Sequence, residues 1–262
     1  MGISSQGYYK GRKKKEVKKL QEEIIIQLVQ SHRRKQPKIG GKKLYRMLQS
    51  DFERMGIKLG RDKFFALLRR NSLLVYHKKR YVNTTNSNHR FWIYDNLIKG
   101  IMAKKINEIY VSDITYINAG ESFCYLALIT DLYSRKIVGY DISDSLNMEG
   151  SIRALKMAIK EKGDLSGLIH HSDRGIQYCS RLYTELLTSN KIKISMSEKG
   201  NPYENAVAER VNGILKGEFL LSEGFNTKQQ AYRAVHEAIE TYNELRPHMS
   251  IDYMTPNQKY AA

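Results

Sequence analysis

The chain has 262 residues, enough for one large domain or two modest ones around a buried core. Its net charge of +17 is unevenly placed: residues 1–100 hold 25 Lys and Arg against 7 Asp and Glu, a net of +18, and residues 101–262 hold 19 against 20, a net of −1. That imbalance argues against charge spread for solubility alone, and no apolar run resembles a membrane span or signal sequence. A nucleic-acid-binding part joined to a separate working part is expected, in the cytoplasm and without a membrane partner.

Residues 1–15 read as a basic tail. Val17, Leu20, Ile24 and Leu28 recur at helical intervals, predicting an amphipathic helix over Glu16–His32 that Gln36-Pro37 ends. Leu44, Tyr45, Leu48 and Phe52 mark a second helix, and Arg61–Arg70 a third. Helix, turn and basic helix is an arrangement that can lay one helix in a DNA major groove, so residues 16–82 are expected to form a helix-turn-helix-like DNA-binding domain. A plain three-helix bundle with solvated lysines is the bland alternative. The candidate DNA contacts are Lys42, Lys43, Arg61, Lys63, Arg69 and Arg70. Residues 83–105 read as a linker, clearest at Asn83–Asn88, and the lone Trp92 within it is expected to pack rather than act.

From residue 106 to 262 strands and helices alternate. A strand runs through Tyr110–Ile117, a nearly all-apolar strand over Phe123–Thr130 and a third over Lys136–Ile142. A helix is expected over Asn147–Lys162, a strand over Leu168–His171, a helix over Arg181–Ser189 and a strand over Ile192–Ser195. Two helices follow, from Pro202 and from Thr227. Three antiparallel strands followed by alternation predict an α/β fold, a mixed five-stranded sheet with helices on both faces. The two cysteines, Cys124 and Cys179, fit reduced thiols, and no Cys-x-x-Cys exists to build a zinc finger. His170, His171 and Cys179 lack a fourth partner at a sensible spacing for zinc.

Three acids stand out. Asp113 lies inside the first strand, Asp173 directly after the fourth, and Glu209 in the helical pattern beyond, with 35 residues between it and Asp173. Cleaving or joining phosphodiesters needs an activated hydroxyl, neutralised phosphoryl oxygens and a stabilised leaving oxygen, which two divalent ions about 3.5–4 Å apart can supply. Mg²⁺ prefers hard oxygens, so carboxylates converging from separate elements would suffice. Asn201-Pro202-Tyr203-Glu204 reads as a helix start, giving Glu204 a capping job. Asn205, Glu209, Asn212 and Lys216 fall on one helix face, the amides and lysine suited to DNA. Glu198, in a loop, is a weaker ligand, and Asp131 reads as a turn cap. Arg174 flanks the second acid and is a further candidate DNA contact.

At these residues the chain resembles the integrase-type transposases of bacterial insertion sequences, in particular the downstream-frame (OrfB) product of the frameshifting group. The matching stretches are Val111–Tyr116, His171–Tyr178, Asn205–Glu209, Tyr242–His248 and Met254–Pro256, with Gln6–Tyr9 at the start. Tyr110 stands where a tryptophan is common. The resemblance implies a ribonuclease-H-like core and a DDE trio of Asp113, Asp173 and Glu209 that serves both as catalytic groups and as ligands for Mg²⁺ or Mn²⁺, two ions with DNA bound. It also implies a basic residue two turns on, Lys216. The implied chemistry is nicking at the element's end, which frees a 3′-hydroxyl, and strand transfer by that hydroxyl. The implied partners are double-stranded DNA, a second copy of the chain and the upstream-frame (OrfA) product or a fusion with it. A purely hydrolytic ribonuclease-H-like nuclease and a DNA-binding regulatory subunit are the alternatives.

Overall fold

A single long helix, α1 (Ser5–Lys35), opens the computed structural model, which describes residues 5–76, 91–162, 165–198 and 205–262. The chain divides into two units, Met1–Lys78 and Lys79–Ala262. Helix therefore begins within the stretch read as a tail, as suits a run of Lys, Arg, Glu and Gln with no proline. The buried line of α1 also differs from the expected one. Val17 and Leu20 are exposed, Ile24 and Leu28 pack partly buried against the core as expected, and Ile25 and Val29 enter it.

The second helix expected around Leu48 is two short ones, α2 (Gly41–Met47) and α3 (Gln49–Arg54). Leu48 joins them, and its amide still donates to the Leu44 carbonyl. Gly56, at φ +65°, turns the chain back, and α4 spans Arg61–Arg70 as expected. Ile25, Val29, Leu44, Leu48, Phe52, Phe64, Leu67 and Leu68 close one apolar core among these helices. Asn83–Asn88 lies outside the described residues.

The second unit holds a five-stranded sheet in the order β3-β2-β1-β4-β5. Its strands are β1 (Ile109–Ala119), β2 (Ser122–Asp131), β3 (Ile137–Ser143), β4 (Ile169–Ser172) and β5 (Lys193–Met196). β1, β2 and β3 pair antiparallel, while β4 is parallel to both β1 and β5. This is the mixed sheet expected from the sequence. The helices are α5 (Met148–Lys162), α6 (Ile176–Cys179), α7 (Arg181–Ser189), α8 (Ala206–Glu218), α9 (Lys228–Leu245) and α10 (Pro256–Ala261). One face of the sheet buries Tyr110, Ile129 and Val138 with Leu155 of α5 and Tyr183 and Leu187 of α7. The other buries Ile117, Leu126 and Leu128 with Val211 and Leu215 of α8 and Val235 and Ile239 of α9. Alternation along β1 is what feeds both layers.

Two of the short elements were not foreseen. α6 follows Asp173 directly. α10 is started by a capping box in which Thr255 Oγ1 accepts from the Gln258 amide and Gln258 Oε1 accepts from the Thr255 amide. The start of α8 expected at Asn201–Glu204 lies outside the described residues. Trp92 is 78% exposed, contrary to the packing role expected of it. Its segment runs along the β5 edge, with the Leu97 amide donating to Ser195 Oγ and the Met196 amide to the Asp95 carbonyl, and this leaves the indole outside.

Gly139 sets how closely α5 lies on β3. A Cβ there would enter the van der Waals shell of the Ala154 carbonyl oxygen and meet the Ala158 methyl at 3.0 Å. Gly139→Ala is therefore expected to cost about 1–3 kcal/mol by overpacking. The readout is a lower urea midpoint at unchanged slope, and an unmoved midpoint would refute this account of the contact.

Candidate active site

β1 is the central strand, and alternation turns Asp113 to the same side as Val111 and Ile117, toward α8. Its Oδ2 accepts from Asn212 Nδ2 at 2.7 Å and its Oδ1 from the Ile114 amide at 2.9 Å. β4 runs parallel to β1, with His171 opposite Val111, so the chain leaving β4 delivers Asp173 beside Asp113. Asp173 Oδ1 accepts from the Gly175 amide at 2.9 Å. A Cβ on Gly175 would fall 2.9 Å from that same oxygen, so the turn into α6 suits glycine. Glu209 stands exposed in the first turn of α8, next to Ala208, which packs on Ile109 and Val111.

The three acids feel one another. Burial, then the charge of Asp173, pushes the Asp113 carboxyl up to about 7. The hydrogen bonds from Asn212 and Ile114 pull it down in part, and Glu209 adds to the rise. Burial and then Asp173 likewise raise Glu209. The acids do not form a closed cage. Among the described residues no three His, Cys, Asp or Glu side chains are gathered closely enough to hold one ion. The expected convergence is thus a shared field rather than a finished coordination sphere. Mg²⁺ ordinarily leaves positions for water and phosphate. The donor set of three carboxylates, without thiolate or imidazole, suits a hard cation. Asn212 Oδ1, beside Asp113, is a buried acceptor without a hydrogen-bond partner among the described residues, a further oxygen in the same place.

Asn205 and Asn212 depart from the expected DNA-facing role. Both are 5% exposed. Asn205 Nδ2 donates to the Ser112 carbonyl at 3.1 Å and Asn212 to Asp113, so the amides pin α8 to β1 at the first acid and at the residue before it. A helix bearing Glu209 must dock on the sheet, and residues four before and three after it face the same way. That spacing was legible. Whether the face met DNA or protein was not.

Lys216 lies partly buried with Nζ 4.2 Å from the Tyr116 ring centre. Burial lowers its pKa and Asp113 raises it. Arg174 Nε donates to the Ser197 carbonyl at 2.7 Å, so its guanidinium is braced against the chain after β5. Glu198 pairs with Lys99 at 2.9 Å. Asp131 is a turn cap, accepting from the Ser134 amide and hydroxyl and from the Asn107 amide.

The histidines beneath the acids are structural. Burial drives His170 down to about 3, leaving it neutral, and its Nε2 lies 2.7 Å from Ser112 Oγ and 2.9 Å from the Tyr183 hydroxyl. His171 Nδ1 meets Ser195 Oγ at 2.9 Å. The Tyr242–His248 stretch also works inside the protein. Asn243 brackets Ile137 through its amide and carbonyl, and Arg246 makes two bonds of 2.8 Å to buried Glu218 and one of 2.8 Å to His248. This pairing was missed from sequence because its partners are 28 residues apart.

In the first unit Lys42, Arg61, Lys63, Arg69 and Arg70 are exposed, with Lys43 partly covered. Arg70 pairs with Glu22 at 3.0 Å and Arg61 with Asp62 at 3.1 Å.

Two families, each described as integrase core domain, match residues 103–202 and 190–256. The insertion element IS600 uncharacterized 31 kDa protein of Shigella sonnei is 35% identical over 259 residues, covering 97% of this chain and 94% of that protein. The transposase InsF for insertion sequence IS3A of Escherichia coli K12 is 32% identical over 195 residues, covering 74% and 68%. Among solved structures, a chain of the simian T-cell lymphotropic virus intasome, determined with PP2A regulatory subunit B56 gamma, superposes with a TM-score of 0.52 at 19% identity. The match covers 90% of this chain and 74% of that one. The likeness is one of fold, the ribonuclease-H-like sheet.

Proposed function

This chain belongs to the integrase-type DDE transposases of bacterial insertion sequences, in the IS3 group, and from that membership we propose its reaction and the residues that perform it. It is a polynucleotidyl transferase on double-stranded DNA. In the first step a water oxygen bonds to phosphorus at the element's end and the P–O3′ bond breaks, leaving a 3′-hydroxyl and a 5′-phosphate. In the second that 3′-oxygen attacks another phosphodiester, losing its proton to solvent as a new P–O3′ bond forms, while the old P–O3′ bond breaks and its 3′-oxygen takes up a proton from solvent.

Asp113, Asp173 and Glu209 are the proposed catalytic trio and would hold Mg²⁺ or Mn²⁺, as a pair of ions with DNA bound. Such ions supply neutralisation of the phosphoryl oxygens and a lowered pKa for the attacking hydroxyl. The observation that carries this reading is that Asp113 and Asp173, delivered by the adjacent parallel strands β1 and β4, line one cavity, with Asp173 and Glu209 both raising Asp113. Acids that raise one another's pKa cost stability when charged, a cost that cations can offset. Asn212 and the Ile114 amide orient Asp113, and the Gly175 amide orients Asp173. Lys216, whose ammonium lies over the Tyr116 ring, where burial disfavours and Asp113 favours its charged form, is the proposed contact to DNA phosphate. Arg174 is a second candidate for that contact.

The test is incubation of the purified chain with labelled element-end DNA and Mg²⁺, alone and with the OrfA product. Nicked and then joined strands are expected. If neither appears under either condition, the assignment fails. Acting on two ends together implies at least a homodimer.

Two further results are expected. Asn212→Ala removes a bond that lowers the Asp113 pKa, so the acid limb of the rate–pH profile should move to higher pH. An unmoved limb would mean Asn212 does not govern that carboxyl. Binding of duplex DNA through Lys42, Lys43, Arg61, Lys63, Arg69 and Arg70 should weaken steeply with salt, since each phosphate neutralised releases counterion. Reversing the charge of Lys63 and Arg69 should flatten the slope by about one unit for each phosphate no longer neutralised. A slope indifferent to these changes would place DNA elsewhere.

A further inference from the structure

Over Lys10–Lys19, within α1, the chain carries seven Lys and Arg against one acid, Glu16. Every residue from Tyr8 to Leu20 is exposed, so this half of the helix projects past the core that takes Ile25 and Val29. Its cations are not arranged alike around the axis. Arg12 pairs with Glu16 at 3.0 Å and Lys19 with Glu23 at 3.9 Å, and these four share one face. Lys10, Lys14 and Lys18 recur every four residues on the opposite side and form no ion pair among the described residues. Steps of seven and eleven residues return to one side of a helix, so Lys18 and Lys14 extend the line that Ile25 and Val29 bury. The next member of the row, Glu22, pairs with Arg70 at 3.0 Å, so the row runs onto the basic end of α4. Like charges four residues apart repel along a helix. The side of α1 that meets the core in one half is thus, in the other, a line of unneutralised charge.

We propose that this lysine row is a second DNA surface, which lies on the phosphates of duplex flanking the stretch held by the other helices of the first unit, whatever its base sequence. The inference rests on the DNA-binding reading of that unit. Successive lysines stand about 6 Å apart along the axis, so the three span about 12 Å, or roughly three to four base pairs. The helix from Ser5 to Ile25 is about 30 Å long, close to one duplex turn. An anionic membrane would instead need an unbroken apolar face, and Lys13 interrupts the line of Tyr9, Val17 and Leu20.

The test measures affinity of the full chain, by fluorescence anisotropy over a range of salt, for a short duplex and for one longer by a turn. The triple variant Lys10→Gln, Lys14→Gln and Lys18→Gln keeps a helix preference close to the parent's. It should match the parent on the short duplex. On the long one it should bind at least about tenfold more weakly, with a salt slope flatter by about 2–3 units. Removing as much charge from the other side, by Arg12→Gln, Lys15→Gln and Lys19→Gln, should leave most of the gain from length in place. Equal losses in the two triple variants, an equal loss on both duplexes, or a parent that gains nothing from length overturns the proposal. So does a row that holds vesicles of phosphatidylserine and phosphatidylcholine but not the longer duplex. If the parent binds neither duplex, the DNA-binding reading of the first unit falls, and this inference with it.

Discussion

Asp113→Asn is expected to abolish nicking and joining while making the metal-free protein more heat-stable above neutral pH. The loss should be on the order of 10³-fold or more, as when a principal charge-stabilising group is removed from a phosphoryl- or acyl-transfer site. The gain in stability follows from the same physics. Burial and Asp173 hold the Asp113 carboxyl at about 7 in the folded protein, against an ordinary value of 3.8. Between those limits the folded state keeps a proton that the unfolded chain gives up, so stability falls as pH rises through that window and stays lower above it. Asparagine has the same shape, can still accept from Asn212, and carries no charge. The variant should therefore melt several degrees above the parent at about pH 8 and level with it at about pH 4. Mg²⁺ should raise the melting temperature of the parent and leave that of the variant nearly unmoved. Equal melting at both pH values would show that the three acids do not burden one another. Melting separates this outcome from a defect in DNA binding.

Arg246→Ala should be the most damaging change outside the acids. Arg246 is 1% exposed and Glu218 5%, and the guanidinium holds the carboxylate through both oxygens while meeting His248. Removing one partner strands the other charge in the interior, a loss of about 3–5 kcal/mol. For a chain of this size each kcal/mol moves melting by about 2–4 °C, so a fall of roughly 10 °C is expected. The double change Glu218→Gln with Arg246→Met should recover much of it, since replacing a buried pair together leaves no lone charge. If the double variant melts no higher than Arg246→Ala, the defect is lost shape rather than stranded charge. Glu218 ends α8 and Arg246 follows α9, so the pair locks the helix of Glu209 to the sheet-covering layer.

Much of the second unit was readable because its signals are local. Alternation in Tyr110–Ile117 fixes a strand and the side on which Asp113 falls. The α7 boundaries, Arg181–Ser189, follow from the periodicity of Tyr183 and Leu187. The first unit was read less well. Of the expected stripe of α1, Ile24 and Leu28 pack on the core beside Ile25 and Val29, whereas Val17 and Leu20 do not, because only the second half of the helix has helices to pack on. Intrinsic helix preference can extend a basic helix beyond its core, and no periodicity marks where burial begins. Trp92 was misjudged because composition cannot say that the neighbouring backbone would lie along an edge strand.

The sequence by itself determined the acids, their strand, strand-end and helix settings, and the family whose motifs they match, because residue type and spacing are written in one dimension. Only the tertiary structure decided that Asn205 and Asn212 brace β1 instead of facing outward, that Glu218 and Arg246 meet, and that tyrosines enclose a recess beside Asp113. These depend on contacts between residues distant in the chain, set by strand order and helix docking. A polar face reads the same in sequence whether water, DNA or protein will cover it.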